Sequence, residues 1–235
     1  MTNQSSLWVF RPIRVLSVVG MCALTSGCMT ARLEESRSMD TAIASGEAVV
    51  LLAKPQVDGP VAEDEFMDCV AGKVSSRSGI LVRENNAFQD AMFPWFEPST
   101  SPQRAEGMAQ LLAKPLVRER IEGSGVRYIV WVDGVTRQTD SGGSISCAIG
   151  PGGGGCLGFG WWEKESDYDA TVWDLKQART AGSVSANVTG TSALVGAIVP
   201  LPFIARVQAA ACDRLAEQLG AFLAGTDPSV RTPGS

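Results

Sequence analysis

The sequence predicts an α/β fold, one mixed β-sheet of about five strands with helices packed on it. Three patterns carry that expectation. Continuous apolar runs of strand length, at 47–53 (EAVVLLA) and 128–132 (YIVWV), have the composition of strands buried on both faces. Amphipathic stretches at helical spacing, at 63–76 and 204–223, alternate with these runs. Shorter runs at 169–175 and 183–188 follow as an antiparallel pair. The order is β-α-β-α-β-β-β-α, and right-handed crossovers then place the early strands parallel.

Residues 28–46 are polar and read as a tether about 18 residues long. The run at 47–53 is the first strand, and a turn carrying Pro55, Gly59 and Pro60 follows. The helix at 63–76 sets Phe66, Val70 and Val74 on one face with Cys69 beside them. Glu63, Asp64 and Glu65 occupy its first turn, where the helix dipole favours negative charge. A second strand is expected at 79–83 (GILVR) and a short helix at 86–93 carrying Phe88 and Met92. The aromatic, proline-bracketed segment 93–98 reads as cover for a core edge. Residues 102–112 are helical, and 116–123 continue that character after Pro115. The third strand, at 128–132, is expected to end at Gly134. After a long excursion, Gly182 is expected to turn the chain between the antiparallel pair, and 190–202 reads as an apolar loop. The closing helix aligns Val207, Ala211, Leu215, Leu219 and Phe222, with Cys212 beside that stripe. The division is one domain over 47–224 with an insertion at 141–166, and a flexible tail at 225–235.

Composition removes several function classes. The chain carries no histidine, which excludes a Ser-His-Asp triad, a Cys-His pair and a His-ligated metal site. No other metal-ligand set and no cofactor motif is read. A net charge of −5 without a basic cluster argues against nucleic-acid binding. A hydrophobic content of 45% suits a folded core.

The N-terminus has the order of a secretory signal. Arg11 and Arg14 precede an apolar stretch at 15–24, and small residues lead up to Cys28. The run Leu24-Thr25-Ser26-Gly27-Cys28 resembles the lipobox of bacterial lipoproteins. That resemblance implies a signal peptide over 1–27, cleavage after Gly27 and acyl chains on Cys28. Met29 in the following position implies the periplasmic face of the outer membrane rather than retention at the inner one. An uncleaved transmembrane helix does not fit, because spanning takes about 20 apolar residues. Loss of 1–27 removes two positive charges and takes the net charge from −5 to about −7.

Cys22 leaves with the signal, so Cys69, Cys147, Cys156 and Cys212 remain for an oxidising compartment. Four cysteines allow three pairings, and sequence alone does not choose among them. A local Cys147–Cys156 bridge is the economical expectation, because the two enclose the glycine-rich segment 148–155. Cys69–Cys212 follows by elimination and would link the first core helix to the last.

With its apolar first strand, helix and short strand, the segment Gly125-Val126-Arg127-Tyr128-Ile129-Val130-Trp131-Val132-Asp133-Gly134 resembles the core of CsgG-like lipoproteins and of the TolB amino-terminal domain. The segment Val172-Trp173-Asp174-Leu175, followed by Gly182 and a strand, is similar to their hairpin. The likeness spans roughly residues 47–223 and implies a membrane-attached, largely non-enzymatic protein of assembly, secretion or envelope interaction. It brings no catalytic residues.

Residues 142–162 depart from that pattern. Gly150 to Gly155 is not a phosphate-binding loop, because Cys156 and Leu157 stand where such a loop needs Lys and Ser/Thr. Ile145, Cys147 and Ile149 alternate with small residues, as do Leu157, Phe159 and Trp161, so a hairpin folded about Gly152-Gly153 is expected. Three readings stand for this finger. It packs back on its own domain, or it contacts a partner through Leu157, Phe159, Trp161 and Trp162, or it inserts into a membrane. Arms of about seven residues count against insertion, since a spanning strand needs about 9–11.

The expected function is therefore an outer-membrane-anchored periplasmic lipoprotein, a non-enzymatic binding or assembly factor of the envelope. Its membrane partner is engaged through the lipid, its other partner is an unidentified envelope protein or polymer, and homo-oligomers are open to it. Two alternatives stand beside it. One is a secretion-channel component of the CsgG-like kind, and the other an enzyme on envelope polymers using Asp133, Asp140, Asp167, Asp169 and Asp174.

Overall fold

The computed structural model describes residues 29–54, 61–97, 99–102, 104–150, 153–196, 201–203 and 206–226. The expected signal peptide, Cys28 and all but the first two residues of the expected tail lie outside these. A single mixed sheet of seven strands, where about five are expected, runs in the order β1-β6-β5-β4-β2-β3, with β7 on β6. Strand β2 (Ala48–Ala53) lies between β3 (Leu81–Arg83) and β4 (Val126–Gly150) and is parallel to both. Strands β5 (Gly153–Asp174) and β6 (Arg179–Gly196) continue antiparallel from β4. Strands β1 (Met29–Arg37) and β7 (Leu201–Phe203) both pair antiparallel with β6.

Helices cover both faces of the central sheet, which explains the unbroken apolar run of β2. Val49 and Leu51 enter the core under α1 (Asp64–Ser78) and α5 (Val207–Leu223). Val50 and Leu52 enter the opposite core, under α2 (Asn85–Ala91), α3 (Ala105–Leu112) and α4 (Pro115–Ser124). Tyr128 and Val130 against Ile129 and Trp131 repeat the division on β4. In α5, Leu215, Leu219 and Phe222 are fully buried, which contributes about 1.5–3 kcal/mol each. Trp131 and Trp173 meet edge to face beneath the three short helices. Phe96, from the segment read as cover, is buried against Phe88 in that core.

Helices α1 and α5 lie on the same face and are joined by the Cys69–Cys212 disulfide, with Cα atoms 6.3 Å apart. Outside the bridge, Lys73 and Arg77 both reach Asp213, and the hydrogen bond from Lys73 is the main cause of the lowered Asp213 pKa.

Four sequence expectations change. The tether expected over 28–46 is part of the domain from Met29 onward. β1 lays its backbone along β6 from Met29↔Gly190 to Arg37↔Gly182, while nearly all its side chains stay exposed. Such a strand is held by its ladder, and it shows no alternation of apolar residues in sequence. The chain after it also docks, because the Tyr128 hydroxyl donates to the Ala42 carbonyl at 2.9 Å and Arg37 stacks on Phe222 at 4.4 Å. Gly134 does not end its strand, since β4 runs on to Gly150. Gly182 lies within β6, and the chain turns at 175–178 instead. Its φ is +154°, and a Cβ there would lie 2.1 Å from the Ser36 carbonyl oxygen and 2.8 Å from the Phe222 ring. The residue is glycine because β1 and α5 close on it. Finally, the apolar loop expected at 190–202 is strand to Gly196 and again at Leu201–Phe203.

Two outcomes are expected from this packing. The bridge spans a sequence separation of 143 residues, so the double variant Cys69→Ser/Cys212→Ser should lose about 2–5 kcal/mol in urea unfolding. Gly182→Ala should lose about 2 kcal/mol or more, with faster amide exchange confined first to residues 29–37.

Candidate functional site

Three strands outrun the helices. Strand β2 pairs with β4 only as far as Val132, so from Asp133 to Gly150 the outer edge of β4 has no strand beside it among the described residues. On its other side β4 pairs with β5 from Tyr128 to Gly150, and β5 pairs with β6 from Gly158 to Asp174. The insertion expected at 141–166 is thus the far half of two core strands.

A polar cluster fixes the base of this extension. Gly134 faces Tyr168 across the ladder, and a Cβ there would lie 2.2 Å from the Asp167 carbonyl and 2.7 Å from the Tyr168 ring. The ring occupies that space and stacks on Phe66 of α1 at 3.5 Å. Its hydroxyl donates to the Glu63 carboxylate and lies 3.1 Å from the Thr136 hydroxyl, which is 2.6 Å from that of Ser166. Burial first, then Glu63, pushes the Tyr168 pKa up to about 12, so this phenol keeps its proton at neutral pH and donates it in a hydrogen bond. The Gln208 amide, in the first turn of α5, approaches the same hydroxyl at 3.5 Å. Both helices on this face therefore grip the strands where they leave the core.

On β4 and β5 charge then runs out at one level. Arg137 pairs with Glu165 at 3.1 Å, and the Asn187 amide donates to the same carboxylate at 2.9 Å. Those two contacts, the amide first, hold Glu165 below the usual carboxylate range. The last charged rung is Asp140↔Glu163, with Thr191 beside it on β6. Beyond it, residues 141–162 contain no Asp, Glu, Lys or Arg, whereas β6 and the chain after it are uncharged throughout 180–205 and mark no such level.

The four predicted contact residues differ in exposure. Leu157 is 70% exposed and Phe159 49%, and Ile149 on the paired strand is 93% exposed. Trp161 lies over Gly142, its ring nitrogen 2.9 Å from where a Cβ would stand, and both it and Trp162 are half-buried. The finger does not fold back to bury its apolar side chains. In the register Cys147 faces Cys156 directly, and Cys147 is disulfide-bonded.

The carboxylates of the enzyme alternative are only partly brought together. Asp133 and Asp169 are cross-strand neighbours with Asp167 two residues along, on an open face of the sheet. Lys54 reaches Asp133 at 2.7 Å. Asp140 stands farther out, and Asp174 is buried in a pair with Arg127 at 2.6 Å, accepting the Lys176 and Gln177 amides at a turn. A cavity of about 560 Å³ at the opposite end is lined by Glu47, Arg118, Arg127 and Lys176, away from the acidic row. Among the described residues no group of three or more carboxylates or cysteines could hold a metal ion, and no helix is long and apolar enough to cross a membrane.

Neither a family model nor a curated protein matches this chain. Solved structures similar to it include two PelC dodecamers from Paraburkholderia phytofirmans. The one in space group C2 is a point variant at 15% identity, covering 84% of this chain and 97% of its own, with a TM-score of 0.40. The one in space group P6 is at 16% identity, covering 84% and 99%, with a TM-score of 0.42.

The acidic row yields a pH-dependent expectation. Desolvation first, then the Asp133 and Asp167 carboxylates, raises the Asp169 pKa. The folded carboxyl keeps its proton to higher pH than the unfolded one. Its stabilising contribution is therefore complete below the ordinary value of 3.8 and declines as pH rises through the raised one. Asp169→Asn should raise the melting temperature at pH 7, and the gain should vanish as the pH falls below that ordinary value. An equal gain at every pH would contradict the assignment.

Proposed function

We propose that this chain is a lipoprotein held by acyl chains on Cys28 at the periplasmic face of the outer membrane, where it acts by binding, as an assembly or accessory factor of the envelope. The observation that carries this reading is the outer edge of β4 up to Gly150, which has no strand beside it among the described residues once the Glu63 carboxylate has taken the Thr136 N–H. A long strand edge with free N–H and C=O groups is a template for a further strand, and proteins that leave one unpaired use it or blunt it. Here the charged rungs near the core give such an edge polarity, while the backbone supplies the affinity. The absence of histidine and the placement of Asp133, Asp167 and Asp169 on an open sheet face support binding over covalent chemistry.

A second reading, a secretion-channel component, is favoured by one specific observation. The arms beyond the last charged rung run from 141 to 150 and from 153 to 162, longer than the sequence alone suggests.

Strand addition is tested by photo-crosslinking in intact cells from Arg137 on the open edge, with Leu116 on α4 as an exposed control. A discrete adduct to an envelope component is expected from the first position and not the second, together with slow amide exchange over 133–140 in envelopes relative to the purified protein. Equal labelling from both positions, with free exchange, would remove the reading. A ring of copies detected in detergent would favour the channel component.

A further inference from the structure

The register of β1 sets its first residue, Met29, level with the start of the charge-free end of β4 and β5. Met29 pairs with Gly190 of β6, and Gly190 pairs with Lys164 of β5, one rung short of Asp140↔Glu163. Cys28 is one peptide bond from Met29, a Cα separation of about 3.8 Å. Acyl chains on its sulfur would therefore leave the protein at the boundary where charge stops.

What lies beyond that boundary is ordered as a lipid-facing segment is. First come Trp161 and Trp162, adjacent to Glu163 and Lys164, and tryptophan is the residue enriched at the polar–apolar boundary of membranes. Then come Phe159 and Leu157 on one face of the sheet and Ile149 on the other, all exposed. Each arm has about ten residues past the last charge, against the 9–11 of a strand that crosses hydrocarbon. Charge, costly in lipid, is absent from this whole part of the hairpin, and the neighbouring β6, uncharged throughout 180–205, adds none beside it. A protein partner would leave the charge-free block, the tryptophan level and the acyl position unrelated, whereas a bilayer accounts for their coincidence.

We propose that the far end of β4, β5 and β6 docks on the bilayer that holds the Cys28 acyl chains, with Trp161 and Trp162 at the headgroup level and Leu157, Phe159 and Ile149 beyond it. The inference rests on the lipid-anchor reading of Cys28. Depth is set by the outer edge of β4, which no strand covers among the described residues, because hydrocarbon does not tolerate unpaired backbone groups. One copy alone reaches the interface, and deeper entry requires a strand on that edge.

The test uses the full chain, processed in cells and reconstituted in vesicles of phosphatidylethanolamine and phosphatidylglycerol. A benzophenone side chain replaces Phe159 in one preparation and Leu81, exposed on β3 at the far edge of the sheet, in another. Phospholipid adducts are expected at least tenfold above the Leu81 level from position 159, and Leu157→Asp should reduce them severalfold. Retention of the Cys69–Cys212 bridge certifies folding of each preparation. Mass spectrometry of the peptide beginning at Cys28 reads the anchor separately. Acylated Cys28 with adducts at the Leu81 level, or with adducts to protein alone, would overturn this inference and leave the anchor reading standing. An unmodified Cys28 would overturn both.

Discussion

Strand β5 is the constraint on which the rest of the molecule depends. It is hydrogen-bonded to β4 along its whole length and to β6 from Gly158 to Asp174, so one continuous ladder joins the buried core to the charge-free end. A strand paired on both sides cannot slip by one residue without exchanging its two faces. On β5 such a slip would expose Tyr168, Ala170 and Val172 and bury Asp167 and Asp169 instead. The core at one end therefore sets which way Leu157 and Phe159 point at the other.

The helices act on this ladder in two ways. By covering both faces near β2, they make a short strand wholly apolar. By stopping at Tyr168, they release three strands into solvent with their register already determined. The grip at the exit is a single tyrosine, stacked on Phe66 and donating to Glu63, with Thr136 and Gln208 against its hydroxyl. The Cys69–Cys212 bridge holds together the two helices that supply Glu63's neighbours and Gln208, which ties the exit to the most buried layer.

Much of the fold was legible because it rests on periodicity. The runs at 47–53 and 128–132, the stripe of α1 and the stripe of α5 each bury a face whose spacing is visible in the letters. The disulfide between those helices follows once they share a face. What was missed has a different physical cause. Residues 29–37 form a strand with exposed side chains, so no burial pattern marks it. Gly134 and Gly182 read as ends and turns, yet each is a point where backbone or an aromatic ring from elsewhere approaches too closely for a Cβ. Of the four contact residues, exposure separated Leu157 and Phe159 from Trp161, and that depended on Gly142 lying opposite the indole.

By itself, the sequence determined the α/β class, the order of the core elements, the exclusion of histidine chemistry and the presence of an uncharged glycine-rich hairpin. Those properties are local, written in composition and spacing. Only the tertiary structure decided that this hairpin is the continuation of core strands, that no described strand covers the far edge of β4, and that β1 begins at the level where charge ends on β4 and β5. These are relations between residues far apart in sequence, such as Met29 with Gly190 and Gly190 with Lys164. Backbone hydrogen bonding creates them, and it leaves no signature in the side chains that a sequence records.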